Sequence, residues 1–275
     1  MTDRIKATFE QLTSKGRTAL IPYVTAGFPK SDTTVQLMHA MTDAGADILE
    51  LGVPFSDPMA DGPVIQKSND VALANNVTSA SVLEMVREFR QDDGRTPVVL
   101  MGYANPIEAM GVSAFIEAAR GAGVDGLLIV DQPPEESEAF AKAVVKAGMS
   151  PIFLVAPTST EERIKAIADA GSGYVYYVSL NGTTGAGHID VQDVVQHLHR
   201  IRRYVELPVG VGFGIRDPET AAAVGEHAQA VVIGSKIIQL LQGDDVTDGI
   251  QRVRTFIGDV REALDSTALT PEQSS

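Results

Sequence analysis

Glu50 is the residue whose setting most invites chemistry. It lies in Asp47-Ile48-Leu49-Glu50-Leu51-Gly52, a short run whose alternate side chains face opposite sides of a strand. Leu49 and Leu51 suit a side covered by helices, so Ile48 and Glu50 share the other. A carboxylate buried there without a partner is costly, and desolvation pushes its pKa up into the range useful for acid and base work. The competing assignment is a structural Glu paired with a buried Arg or Lys. No basic residue lies inside the first six strand segments, which counts against it.

Further candidates cluster near strand ends. The segment Gly52-Val53-Pro54-Phe55-Ser56-Asp57-Pro58-Met59-Ala60-Asp61-Gly62-Pro63 is stiffened by prolines and carries two carboxylates. Asp61 is either a pocket acceptor or a turn-forming Asp before glycine, and Asp57 belongs at the rim. Tyr174 and Tyr176 are in phase, with Val175 and Tyr177 opposite, so one tyrosine pair points inward. Tyr176 reads first as pocket wall, with a chemical role as the alternative. Leu180-Asn181-Gly182-Thr183-Thr184-Gly185-Ala186-Gly187 has the composition of a mobile lid with hinge glycines, or of a plain connector. Gly210-Val211-Gly212-Phe213-Gly214-Ile215 and Ile233-Gly234-Ser235 are glycine loops, the second opening a short helix that Gly243 stops. Glycines admit an anion close to the backbone, and a helix start offers unpaired N–H groups. Together the two loops point to a phosphate pocket rather than to two unrelated turns.

What is missing narrows the reaction. The lysines at 6, 15, 30, 67, 142, 146, 165 and 236 all fall outside the strand segments, so a Schiff base lacks its amine. His39, His188, His197, His199 and His227 fall in helices and a loop without a convergent carboxylate set, which argues against a metal site. With no Cys and no nucleophile elbow, proton transfer by a carboxylate is left.

The elements that must position these groups follow from the hydropathy pattern. Strand segments run over Ala19 to Thr25, Asp47 to Gly52, Pro97 to Gly102, Asp125 to Val130, Pro151 to Val155, Gly173 to Ser179, Pro208 to Gly212 and Gln229 to Ile233, each followed by helical periodicity. Caps are expected at Ser31-Asp32, Ser79, Thr158 to Thr160, Asp190 and Asp217-Pro218. An additional helix over Asp3 to Leu12 presents Ile5, Phe9 and Leu12, and Val246 to Leu264 form a long amphipathic final helix. An open doubly wound sheet also alternates strand and helix. Eight units in 275 residues, with glycine loops after strands seven and eight, instead predict a single-domain (β/α)8 TIM barrel, with an extra N-terminal helix and a short phosphate-binding helix after strand eight. Barrel active sites lie at the C-terminal ends of the strands, where Glu50 falls. The barrel is expected over residues 1–265, with a mobile tail over 266–275.

A net charge of −14 disfavours nucleic acid and acidic membranes as partners. The absence of Cys, of an apolar leader and of any long apolar stretch predicts a cytoplasmic protein.

The residues quoted above also carry a resemblance. Ile21-Pro22-Tyr23-Val24-Thr25-Ala26-Gly27-Phe28-Pro29, Leu49-Glu50-Leu51-Gly52-Val53-Pro54-Phe55-Ser56-Asp57-Pro58 with Ala60-Asp61-Gly62-Pro63, Tyr103-Ala104-Asn105-Pro106, Gly212-Phe213-Gly214-Ile215 and Gly234-Ser235 resemble the α subunits of tryptophan synthase, over essentially the whole chain. The resemblance implies a carbon–carbon lyase that cleaves indole-3-glycerol phosphate to indole and glyceraldehyde 3-phosphate. It implies an α2β2 heterotetramer in which indole passes through a tunnel to a β subunit, which holds pyridoxal phosphate while this chain needs no cofactor. It assigns Glu50 as general acid and base and Asp61 as acceptor of the indole N–H. Thr184, Gly185, Gly214, Gly234 and Ser235 would hold or close over the phosphate end, and Tyr23, Met101, Tyr103 and Tyr176 would line the pocket. In the sixth loop many members have Gly-Val-Thr-Gly where this chain has Gly182-Thr183-Thr184-Gly185, a change expected to bear on lid kinetics and not on the chemistry.

Overall fold

The computed structural model describes residues 3–179, 190–212, 214–243 and 245–267. Eight parallel strands close on themselves in chain order: β1 (Ala19–Thr25), β2 (Leu49–Gly52), β3 (Val98–Gly102), β4 (Gly126–Ile129), β5 (Ser150–Val155), β6 (Val175–Val178), β7 (Val209–Gly212) and β8 (Ala230–Ile233). Pairing of Leu20 with Val231 and of Ile21 with Val232 joins β1 to β8 and removes the sheet edge. Each strand lies within the segment expected from the sequence or overlaps it to within a residue or two, because β-branched runs between turn residues have few other ways to bury both faces.

Around the barrel lie α1 (Arg4–Ser14), α2 (Thr34–Asp43), α3 (Pro63–Ala74), α4 (Ser79–Asp92), α5 (Ala104–Met110), α6 (Val112–Ala122), α7 (Glu138–Lys146), α8 (Glu161–Ala170), α9 (Val191–Arg202), α10 (Pro218–Gly225), α11 (Ser235–Leu240) and α12 (Val246–Ser266). Thr160, Asp190 and Asp217 cap α8, α9 and α10 as expected, each accepting from a backbone N–H of the first turn. Two expected caps are corrected. The cap of α4 is Thr78 and not Ser79, because Thr78 exchanges bonds with Ser81 in a capping box. Ser31-Asp32 opens a 3-10 turn before α2 and makes no side-chain cap bond there.

Two apolar layers follow from the strand period. Leu49 and Leu51 join the cluster between strands and helices, whereas Ile48, Val99, Leu128 and Val232 fill the barrel interior. Helix α1 closes the floor of that interior with Ile5, Phe9 and Leu12, all buried. Each such side chain is worth about 1.5–3 kcal/mol of burial. Ion pairs pin the helix: Arg4 reaches Asp125 at 2.8 Å, and Asp125 also holds Arg90 at 2.7 Å and accepts from the Val98 N–H. Helix α12 runs to Ser266, and residues 268–275 of the expected tail lie outside the described residues. Among the described residues no helix is long and apolar enough to cross a membrane.

Candidate active site

Glu50 enters the interior from β2, with Tyr23 of β1 and Val99 of β3 as its register neighbours. It is fully buried. The Tyr174 hydroxyl donates to Oε1, and Oε2 has no hydrogen-bond partner among the described residues. Burial pushes the Glu50 carboxyl up to about 7, and the Tyr174 bond pulls the other way by favouring the charged form. The expectation of an inward acid without a basic partner is met. Its neutral partner Tyr174 is not among the residues that the sequence singles out for a role at the site. The signal was there in the inward phase of Tyr174 and Tyr176, but which hydroxyl meets Glu50 depends on a contact across the barrel.

Asp61 sits in the loop after β2 and accepts from the Tyr103 hydroxyl at 3.1 Å. The same hydroxyl accepts from the Ala60 N–H at 3.1 Å, so Tyr103 holds both ends of the Ala60–Asp61 peptide. Burial raises the Asp61 carboxyl above its ordinary value, with the Tyr103 bond opposing. Helix α3 fixes the rest of the loop: Asn69 accepts from the Phe55 N–H at 3.1 Å, and Gln66 donates to the Asp61 carbonyl at 2.8 Å. Phe55 packs on Tyr103 with ring centroids 5.3 Å apart. Asp57 is exposed, with Ser56 donating to it at 2.6 Å, as expected for a rim residue.

The two carboxylates lie near the same pair of tyrosine hydroxyls. The charges of Asp61 and Glu50 both act on the Tyr23 and Tyr176 hydroxyls, whose pKa values are raised, by burial first and by these charges after it. Both tyrosines are buried and their hydroxyls lie where glycines leave room: a Cβ at Gly52 would overlap the Tyr23 hydroxyl, and one at Gly212 the Tyr176 hydroxyl. Gly234 faces the Tyr23 ring, where a Cβ would stand 3.1 Å from Cδ1. Some of the glycines at the strand ends therefore serve the tyrosine walls directly. Met101 lies half-buried against the interior cluster.

At the ends of β7 and β8, Gly214 holds a φ of +84°, which favours glycine, and Gly234 stands immediately before α11. Ser235 opens that helix, whose first N–H groups have no acceptor within it. The helix ends at Leu240, short of Gly243. Lys236 directs its ammonium over the Phe256 ring, 6.0 Å from the centroid, on α12. Thr184 and Gly185, with the sixth-loop change at Thr183, lie outside the described residues.

Comparison with known proteins extends over the same residues. The family model described as tryptophan synthase alpha chain matches residues 9–265. A tryptophan synthase alpha chain of Methylibium petroleiphilum is 58% identical over 264 residues, covering 96% of this chain and 97% of that one. The crystal structure of tryptophan synthase subunit alpha from Legionella pneumophila superposes with a TM-score of 0.90 at 40% identity, covering 97% of this chain and all (100%) of that one. A crystal structure of tryptophan synthase from M. tuberculosis in an aminoacrylate-bound form matches with a TM-score of 0.85 at 33% identity, over 95% of this chain and 99% of that one. Since sequence and barrel agree with these relatives from one end to the other, the chain belongs to the tryptophan synthase alpha chain family.

Proposed function

We propose that Glu50 and Asp61 carry the retro-aldol cleavage of indole-3-glycerol phosphate to indole and glyceraldehyde 3-phosphate, a lyase step of tryptophan biosynthesis. The observation that carries the assignment is Glu50 itself: a carboxyl buried inside the barrel, poised at about 7, with one oxygen bonded to Tyr174 and the other unpartnered among the described residues. A group with that pKa gives and takes protons at neutral pH with little energetic cost in either direction.

Protonated Glu50 delivers its proton to indole C3, which leaves a cation delocalised onto the ring nitrogen. Asp61, kept in place by Tyr103, accepts the indole N–H and stabilises that charge. Glu50, now a carboxylate, takes the proton from the glycerol hydroxyl next to the scissile bond. The hydroxyl carbon becomes the aldehyde, and the electrons of the C–C bond return to the ring and quench the cation. The electron sink is the substrate's own indole, so the step calls for no enzyme amine and no cofactor in this chain. The phosphate end would be held by Gly214, Gly234 and Ser235 at the start of α11, with Thr184 and Gly185 of the sixth loop. Tyr23, Met101, Tyr103 and Tyr176 form the walls around the ring.

The partner is a β subunit in an α2β2 assembly, with pyridoxal phosphate belonging to that subunit, and both act in the cytoplasm. The loop after β2 suits docking, because Met59 stands 85% exposed on it beside Asp57. The test is indole release from indole-3-glycerol phosphate by the purified chain, alone and with a β subunit. Stoichiometric indole and glyceraldehyde 3-phosphate are expected; no indole under either condition overturns the reading.

A further inference from the structure

Helix α1 does more than close the floor of the barrel. The Phe9 ring packs against the Tyr174 ring with centroids 5.9 Å apart and planes at 51°. Ile5, one turn earlier on the same face, comes up to Gly173, where a Cβ would meet its Cγ2 at 3.3 Å. The helix thus touches both the lead-in to β6 and the aromatic side chain that bonds Glu50. Gly173 itself has a φ of +79°, so the backbone at that point is held in a conformation few side chains tolerate. Phe9 is 5% exposed and Tyr174 fully buried, so neither ring has solvent into which to turn.

We propose that Phe9 is a positioning residue for the acid–base group: through the Tyr174 ring it fixes the hydroxyl that donates to Glu50, so the floor helix sets where the carboxylate rests and which charge state it favours. The proposal rests on the reading of Glu50 given above only for its catalytic consequence. The direction of the effect follows from the bond. A hydroxyl donating to a carboxylate favours the ionised form, so loosening Tyr174 raises the Glu50 midpoint. The titratable groups around Glu50 are Tyr23 of β1, Tyr174 just before β6 and Tyr176 of β6, and Asp61 of the loop after β2 acts on the same Tyr23 and Tyr176 hydroxyls. The inward residues of β3, β4 and β5 beside it, Val99, Leu128 and Ile152, are apolar. The charged residue that α1 commits to the floor, Arg4, is spent on Asp125 and the Gly94 carbonyl.

The experiment is titration of the Glu50 side-chain carboxyl by carbon NMR in the full chain labelled at glutamate, with the resonance assigned by its loss in Glu50→Gln. Phe9→Leu keeps apolar volume in the floor, and Phe9→Met gives a second route should the first fail to fold. Tyr174→Phe is expected to raise the midpoint. Phe9→Leu should raise it in the same sense by about half a pH unit, and the double variant should go no further than Tyr174→Phe alone. A midpoint unchanged in both Phe9 variants, or shifts that simply add in the double variant, overturns the proposal even if thermal stability falls. A midpoint that moves while the pH profile of indole release stays put leaves the proposal standing and counts against Glu50 as the acid–base group.

Discussion

The burial that would suit Glu50 to the proposed proton transfer also carries a cost in stability. Between about 4.5, the ordinary value, and about 7, the folded chain keeps a proton on Glu50 that the unfolded chain has released. Stability therefore falls as pH rises across that window, by something on the order of 3 kcal/mol in all. Glu50→Gln stays neutral throughout and escapes the loss. Its unfolding free energy in urea, relative to the parent chain, should improve steadily from about pH 5 to about pH 8. A difference that does not depend on pH would mean that the carboxyl is not desolvated as described. The position of Glu50 was legible in its strand period, since Leu49 and Leu51 on one face leave it no other direction. Tyr174 as its donor, and the fit of Tyr176 and Tyr23 into the space left by Gly212 and Gly52, were not. Those contacts join residues far apart in the chain, and no local spacing encodes them.

At the level of elements, the strands were readable to within a residue or two and the helix ends less so. Thr78 rather than Ser79 caps α4 because the reciprocal bond with Ser81 decides between two adjacent hydroxyl residues, and both patterns look alike in sequence. The expected floor helix is present as α1, but its attachment was invisible, because Asp125 joins Arg4 of α1 to Arg90 of α4, residues far apart in the chain. Asp125 and Arg90 are nearly buried, with side chains 7% and 10% exposed. Removing the acid takes from Arg4 and Arg90 the carboxylate they share, and Asp125→Asn should lower stability by about 3 kcal/mol. Urea unfolding measures it, and a loss under about 1 kcal/mol would show that α1 is held by its apolar face alone.

For the molecule as a whole, closure of the sheet is what gives one acid its properties. An open sheet would leave the end of β2 in contact with water on one face. Pairing β1 with β8 instead surrounds Glu50 with eight strands and a floor helix, and desolvation becomes the leading influence on its pKa. The chain's charge of −14 would repel a phosphorylated substrate if side chains had to bind it. The proposed phosphate pocket of backbone N–H groups at α11 would avoid that conflict. In the proposed mechanism Glu50 acts as the acid in the free enzyme, and the pH dependence of kcat/KM for indole release tests that role most directly. The parent chain should lose activity above about pH 7 as Glu50 ionises. Glu50→Gln should be slower by on the order of 10²-fold or more and lack that limb. A variant within tenfold of the parent, or one that keeps the same limb, would contradict it.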